Sequence, residues 1–198
     1  MIRKTFAIIL FSVFSLPLFS QGKFEGGIYT GYFQIGERGF NEFGLMFHIP
    51  VGRATLNYHF GLGSSLNSGV YAHSTAGAVA GVWLLNELGA SGIDAGYLSF
   101  LFCIMPEGVG YYLPTKGKIT THISVNPLSV EYFYRGRTGE EWGKMSCDVV
   151  ARFKMRTNFK MPVYFAPQVA GTIIYTPGQM TGKYGFKAGF TIGFESRD

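Results

Sequence analysis

The chain has 198 residues, and 17 Lys and Arg against 12 Asp and Glu give it a formal net charge of +5. This small positive excess, without a long cluster of basic residues, argues against nucleic-acid binding. The length corresponds to one domain. The 28 glycines and 17% aromatic residues are typical of β proteins with tight turns and aromatic surfaces.

The N-terminus has the layout of a secretory signal peptide. Arg3 and Lys4 form a positive start, residues 5–19 are almost continuously apolar, and Ser20 is a small residue at a cleavage position. The apolar stretch is shorter than the roughly 20 residues that a membrane-spanning helix needs. An uncleaved anchor is therefore the weaker interpretation.

We expect residues 1–20 to be removed and residues 21–198 to form a single exported domain. Two cysteines, Cys103 and Cys147, remain in that domain. An exported chain permits a disulfide between them, and their spacing does not indicate a metal site.

Apolar and polar side chains alternate with a period of two in several segments. In residues 183–194, Phe186, Phe190 and Phe194 share one face, while Lys187 lies on the other. Because successive side chains of a strand point to opposite faces, this pattern predicts strands with one apolar and one polar face. The same alternation occurs in residues 43–49, 56–62 and 145–156.

With the weaker runs included, the pattern predicts eight strands. They lie at about 23–35, 40–50, 53–63, 107–113, 118–134, 141–157, 161–175 and 183–194. The phase of the alternation slips at Pro127, which predicts a β-bulge there because proline cannot donate to the ladder.

Residues 64–106 do not fit this pattern. From Ala76 to Leu88, apolar residues recur at steps of three and four, which is helical spacing. Residues 97–105 are continuously apolar and fit either a short helix or a buried strand. We predict a largely helical insertion at 64–106, between the third and fourth strands.

Alternation alone does not say which face lies inside the barrel. A soluble lipocalin-like barrel has its apolar face inward, whereas a membrane barrel has it outward. The longer runs reach the about 9–11 residues that cross a bilayer at a tilt. Gly185, Gly189 and Gly193 share one polar face, and small residues suit the narrow interior of an eight-stranded barrel.

The connections between the predicted strands alternate in length. Tight turns at 50–52, 114–117 and 157–160 alternate with connections that are longer on the whole, the longest being 64–106. Short periplasmic turns and longer outer loops are typical of membrane barrels. This asymmetry predicts an extracellular position for the insertion.

The last predicted strand is amphipathic and ends at Phe194, four residues before the C-terminus. In its signal peptide, its alternation and this terminal strand, the chain resembles the small outer-membrane β-barrel proteins of Gram-negative bacteria. The resemblance implies an all-β fold, namely a closed antiparallel up-and-down barrel of about eight strands with the insertion added. It also implies an outer-membrane location, with outer-membrane lipid and the barrel insertion machinery as partners. It transfers no active site.

On the membrane interpretation, polar faces line the lumen and apolar faces contact lipid. The predicted lumen network comprises Glu131, Asp148, Arg152, Lys154, Arg156, Lys187, His48 and His59. The predicted lipid-facing set comprises Phe43, Phe47, Tyr58, Phe60, Phe153, Phe186, Phe190 and Phe194. The insertion carries an apolar surface that must be covered by the barrel, lipid or a protein partner; it includes Trp83, Leu84, Phe100 and Phe102.

The sequence indicates no cofactor, metal or catalytic site. If residue 48 pairs near residue 55, His48 and His59 lie more than ~10 Å apart, too far for one metal or a catalytic dyad. Gly26-Gly27 and Gly61-Leu62-Gly63 lack the strand–turn–helix context of a phosphate-binding loop.

The leading hypothesis is a non-enzymatic outer-membrane barrel with a structural, lipid-contacting or partner-binding role. One alternative is a soluble exported barrel that binds an apolar ligand. The other is an outer-membrane lipid acyl hydrolase or transferase, which requires His48 or His59 beside a serine and a carboxylate.

Overall fold

The computed structural model describes residues 24–65, 69–87, 104–114, 118–135, 140–157, 162–175 and 182–196. The predicted signal peptide, Cys103, Phe100 and Phe102 lie outside these ranges. Within them, no helix is both long enough and apolar enough to cross a membrane.

Nine strands and one helix make up the described chain. They are β1 (Glu25–Ile35), β2 (Arg38–Val51), β3 (Ala54–Ser65), β4 (Gly69–Thr75), α1 (Ala76–Glu87), β5 (Gly108–Tyr112), β6 (Ile119–Arg135), β7 (Glu140–Arg156), β8 (Val163–Tyr175) and β9 (Lys183–Glu195). All strand pairings are antiparallel, and β1 pairs with both β2 and β9. The sheet therefore closes into a barrel.

This closed antiparallel barrel confirms the predicted fold. The β1–β9 ladder runs from Glu25 opposite Glu195 to Ile35 opposite Gly185, so the first and last strands pair as closure requires. The predicted bulge is also confirmed, because the β6–β7 register shifts between Asn126 and Ser129, on either side of Pro127.

The fourth position in the barrel wall is shared by two short strands, β4 and β5. Both lie between β3 and β6 and run in the same direction. β4 pairs with the Gly61–Ser65 half of β3, and β5 pairs with the Ala54–Asn57 half. The wall thus has eight positions, and residues 76–107 are inserted within the fourth.

The position of the insertion corrects the sequence prediction. A helix is present at Ala76–Glu87, as the helical spacing predicts, but residues 69–75 form a wall strand instead of part of the insertion. The chain leaves and rejoins the barrel in the middle of a strand position, so the insertion does not join two whole strands at one end of the barrel. The predicted asymmetry of loop lengths is likewise wrong, because the remaining connections at both ends of the barrel are short.

The alternation did not predict strand β4, because neither of its faces is consistently apolar. Its outward positions hold Val70, Ala72 and Ser74, and its inward positions hold Tyr71, His73 and Thr75. Such a mixture does not produce the period-two hydrophobic signal on which the prediction depends.

Specific hydrogen bonds hold the two ends of the insertion. Thr75 caps α1, because its Oγ1 accepts a hydrogen bond from the Ala78 amide at 3.2 Å. On the return, the Glu107 amide donates to the Asn57 carbonyl at 2.9 Å, and the Glu107 carbonyl accepts from the Leu128 amide at 2.9 Å. The backbone of Glu107 therefore bridges β3 and β6 across the interruption.

We expect deletion of residues 76–106 to leave a folded barrel. By extension of the β3 register, Thr75 lies opposite residue 59, whereas Gly108 lies opposite Asn57. Joining Thr75 to Glu107 leaves the single residue that a continuous strand needs, and the joined strand is as long as β8, which has 13 residues. Residue 107 then lies opposite Tyr58 on the outer face, so this deletion and its matched control both carry Glu107→Val to avoid a carboxylate there. Heat-modifiable migration on gels measures the folded barrel.

The matched control for this deletion removes residues 69–106, and with them β4. This variant should fail to close, because half of the fourth wall position is lost and amides of β3 and β6 become unpaired. Equal assembly of the two deletions would contradict the split-strand topology.

Candidate functional site: the barrel lumen

The outer face of the barrel is apolar. Phe43, Phe153, Phe186, Phe190 and Phe194 point outward and are 42–57% exposed. Three more residues of the predicted lipid-facing set, Phe47, Tyr58 and Phe60, also lie at outward positions and are half-buried. Tyr58 is partly covered because its hydroxyl donates a 2.6 Å hydrogen bond to the Ile104 carbonyl of the insertion.

The interior has the opposite character. Among the described residues, six carboxylates are buried but only three Lys and Arg side chains are. The carboxylates belong to Glu25, Glu42, Glu107, Glu131, Asp148 and Glu195, and the cations to Arg152, Lys154 and Lys187. A soluble barrel with an apolar ligand cavity requires the reverse arrangement, so the burial pattern argues against it.

An apolar plug closes the end of the barrel opposite the chain termini. Its members are Phe33, Ile35, Phe40, Tyr71, Phe133 and Ile174. Ring centroids of Tyr71 lie 5.2 Å from Phe33 and 5.1 Å from Phe40, so the aromatic side chains pack against one another. We call this cluster the aromatic plug.

Below the aromatic plug lies the central network, which is centred on Lys187. Its ammonium donates to Glu131 at 2.8 Å and to Asp148 at 2.9 Å. Glu131 also forms a hydrogen bond with His73 Nδ1 at 2.8 Å, and His73 Nε2 forms one with Glu107 at 3.0 Å. Strands β4, β6, β7 and β9 and the return of the insertion are thereby joined across the lumen.

A second network, the lower network, lies nearer the termini. Lys154 forms ion pairs with Glu25 and Glu195, which belong to the first and last strands. Arg152 donates to Gln168 at 3.0 Å and to a ring nitrogen of His48 at 2.8 Å. Charged groups buried in this way need such partners, because an unpaired buried charge is strongly destabilising.

The two networks leave little free space. A cavity of about 30 Å³ lies between them and is lined in part by His48, His59, Glu107, Asp148 and Lys187. That is room for roughly one or two water molecules. With the aromatic plug above it, the described lumen contains no continuous aqueous path.

The predicted lumen network can now be compared with the structure. Glu131, Asp148, Arg152, Lys154, Lys187 and His48 are buried inside the barrel, and His59 lies beside the cavity. Arg156 differs, because its side chain is 57% exposed while it pairs with Glu195. The pairing of these residues could not be predicted from the alternation, since their partners lie on strands that are distant in the chain.

The sequence did not identify four members of the two networks, namely Glu25, His73, Glu107 and Glu195. It also missed two other buried residues of the lumen, Glu42 beside Tyr29 and His122 beside Thr55. Glu25 and Glu195 continue the parity of the lumen faces of their strands, so a stricter extension of the alternation finds them. Glu107 and His73 depend on the split strand, which the alternation does not reveal.

The predicted spacing of His48 and His59 is wrong. The turn between β2 and β3 places His48 opposite Asn57 and Met46 opposite His59, so the two histidines are two positions apart along the hairpin. Each one packs against a different histidine instead, stacked in the case of His48 and tilted in the case of His59. His48 lies 4.7 Å from His122, and His59 lies 4.6 Å from His73, between ring centroids.

The structure does not assemble the serine–histidine pair that an acyl hydrolase requires. Ser129 donates to Glu107 at 3.2 Å, and Ser146 donates to Glu131 at 3.3 Å. Both hydroxyls therefore bind a carboxylate. Within the described residues, no hydrogen bond joins a serine to His48 or His59, so neither histidine is positioned to activate a serine.

The helix α1 presents apolar side chains outside the barrel. Val79, Val82 and Trp83 are 44%, 63% and 60% exposed. Its first turn has no acidic residue, and its last turn has no basic one. The Leu84 side chain lies outside the described part of the chain. Exposed apolar side chains that lie together in this way are typical of a surface that contacts lipid or another protein.

Two solved structures have a similar fold. The crystal structure of Neisserial surface protein A matches with a TM-score of 0.52 at 5% sequence identity, over 87% of this chain and 95% of that one. The N-terminal β-barrel domain of Pseudomonas aeruginosa OprF matches with a TM-score of 0.50 at 12% identity, over 88% of this chain and 100% of that one. No family model and no curated protein matches the sequence. Identities this low concern the fold alone.

Proposed function

We propose that this protein is an outer-membrane β-barrel, exported by its N-terminal signal peptide, with a non-enzymatic structural and lipid-contacting role. The observation that carries the proposal is the inverted burial pattern, with charges inside and apolar side chains outside. The two structures reported above, Neisserial surface protein A and the N-terminal β-barrel domain of OprF, have a similar fold, which is compatible with that location.

The outer face fits a bilayer in both its length and its composition. The uninterrupted strands have 11 to 17 residues, at least the about 9–11 that cross the hydrocarbon core at a tilt. Four of the five exposed tyrosines in the described chain lie towards the end with the aromatic plug, namely Tyr32, Tyr132, Tyr134 and Tyr184. The fifth, Tyr111, lies with Phe24 and Phe194 towards the other end. Aromatic residues at both rims are typical of the membrane–water interfaces of such barrels.

The filled lumen supports a role outside transport. Ion pairs and the aromatic plug occupy the interior, as side chains commonly do in eight-stranded barrels. Purified protein reconstituted in planar bilayers is therefore expected to show no single-channel conductance.

The insertion supplies the surface through which the barrel contacts its surroundings. It emerges from the middle of the wall, where a spanning barrel is surrounded by acyl chains, and α1 exposes Val79, Val82 and Trp83 there. Apolar side chains at that depth are compatible with lipid, or with the apolar surface of another membrane protein. We assign α1 to lipid contact, with a membrane-protein partner as the alternative occupant.

Cell fractionation with heat-modifiable migration tests the proposal. The protein should sediment with the outer membrane, require detergent for extraction, and migrate faster on gels before boiling than after it. Recovery in the soluble periplasmic fraction would overturn the proposed location.

A further inference from the structure

All four histidines of the chain line the lumen, in addition to the buried ion pairs. Three groups converge at the wall interruption: His59 from β3, His73 from β4 and Glu107 from the return of the insertion. Each offers one ligand atom, and these atoms lie within 4.8 Å of one another.

His73 and Glu107 each form a hydrogen bond with a residue outside this set of three, as metal ligands usually do. His73 forms a hydrogen bond with Glu131 through Nδ1 at 2.8 Å, so Nε2 faces Glu107. The Ser129 hydroxyl donates to Glu107 Oε2 at 3.2 Å. These contacts orient the imidazole and the carboxylate towards the same point.

His59 completes the set with an unused ring nitrogen. Its Nε2 is buried and has no hydrogen-bond partner among the described residues. A buried polar atom without a partner costs free energy, which a bound ion at this nitrogen would offset. His59 and Glu107 also line the central cavity, which has room for one small species beside them.

The charge balance of the lumen favours a bound cation. The buried carboxylates outnumber the buried Lys and Arg side chains by six to three among the described residues. Lys187 is the nearest ammonium, 3.4 Å from His73 Nδ1, but Glu131 and Asp148 both pair with it. Its charge is therefore largely balanced on the side of His73 away from Glu107.

We propose that His59, His73 and Glu107 bind a divalent cation of the zinc type. Two imidazoles and one carboxylate suit Zn²⁺, whereas Mg²⁺ and Ca²⁺ prefer sites made of oxygen atoms alone. In a tetrahedral site with bonds of about 2.0–2.2 Å, two ligand atoms are about 3.3–3.6 Å apart. Binding therefore requires the three side chains to rotate so that their ligand atoms approach one another by up to about 1.5 Å, and the cavity leaves a fourth position for water.

The site joins the strand before the insertion, the segment after it, and the neighbouring strand β3. A bound ion would thus clamp the wall at its interruption. This stabilises the barrel where three residues of β3, between Asn57 and Gly61, have no ladder partner on that side.

Metal titration of the purified barrel tests the proposal. Chelator-treated wild-type protein in detergent should bind one Zn²⁺ per chain in competition with a chromogenic chelator. The substitutions His59→Gln and Glu107→Gln each remove a ligand and should weaken binding by more than the roughly 10–100-fold that the loss of an outer partner costs. The matched control His122→Gln changes the other histidine pair and should leave zinc affinity within about twofold of wild type.

Two results would overturn the proposal: equal zinc affinity of wild type and His59→Gln, or an equal loss in His122→Gln. Heat-modifiable migration identifies any variant that does not fold. For that case, the absorption spectrum of Co²⁺ added to the wild-type protein decides without a substitution. A four-coordinate spectrum is expected, and a spectrum like that of the aqueous ion contradicts the site.

Discussion

Replacing Val149 by arginine is expected to destabilise the folded barrel in lipid by about 2–4 kcal/mol. Val149 lies near the middle of β7, points outward and is 52% exposed. An arginine there must lose its hydration in the hydrocarbon core or distort the bilayer to keep it. Urea-induced unfolding in vesicles, followed by tryptophan fluorescence, measures the loss.

The matched control places the same charge near an end of the barrel. Gln34 is exposed on the outer face of β1, next to the strand end. Gln34→Arg should cost about 0–1 kcal/mol, because the cost of a charge falls towards the interface. The substitution Val149→Met controls for side-chain size and should be nearly neutral. Equal tolerance of arginine at positions 149 and 34 would contradict the membrane location, since an outer face in water accepts both.

Replacing Lys187 by methionine should destabilise the barrel by about 3–5 kcal/mol. The ammonium of Lys187 pairs with Glu131 at 2.8 Å and with Asp148 at 2.9 Å, and both carboxylates are buried. Without it, two like charges remain close together with one fewer cation to balance them. The same unfolding measurement applies to this variant.

Two further variants identify the cause of that loss. Lys183→Met removes an exposed lysine from the same strand and should change stability by no more than about 0.5 kcal/mol. Adding Glu131→Gln and Asp148→Asn to Lys187→Met removes the unbalanced charges and should restore part of the stability. If Lys187→Met matches Lys183→Met, the central network does not hold the lumen together.

The alternation could predict which residues share a face, but it could not predict which side chains meet inside the barrel. Parity along one strand puts Phe190 and Lys187 on opposite faces, and the strand lengths and the glycines of the polar face then favoured Phe190 outside and Lys187 inside. It does not say what Lys187 meets. Its partners Glu131 and Asp148 are 56 and 39 positions away in the chain, and only closure of the barrel brings β6, β7 and β9 round one lumen.

The two histidine pairs show the same limit in a stricter form. The expected β2–β3 register differs by two positions from the one observed, and the predicted distance between His48 and His59 was therefore too long. The pair of His59 and His73 depends further on β4, whose mixed faces hide it from a hydrophobic pattern. Side chains from three separate segments meet at Glu107. No local sequence pattern predicts this meeting.

The sequence by itself determined the strand periodicity, the apolar and polar faces of most strands, the bulge at Pro127 and the presence of a helix after Thr75. These are local properties, because they follow from the alternation of side chains along a strand and from the step of a helix. The tertiary structure alone decided that β4 and β5 share one wall position, that the insertion leaves from the middle of the wall, and which charges pair. Those features depend on strand register and closure, in which every pairing constrains the next around the ring.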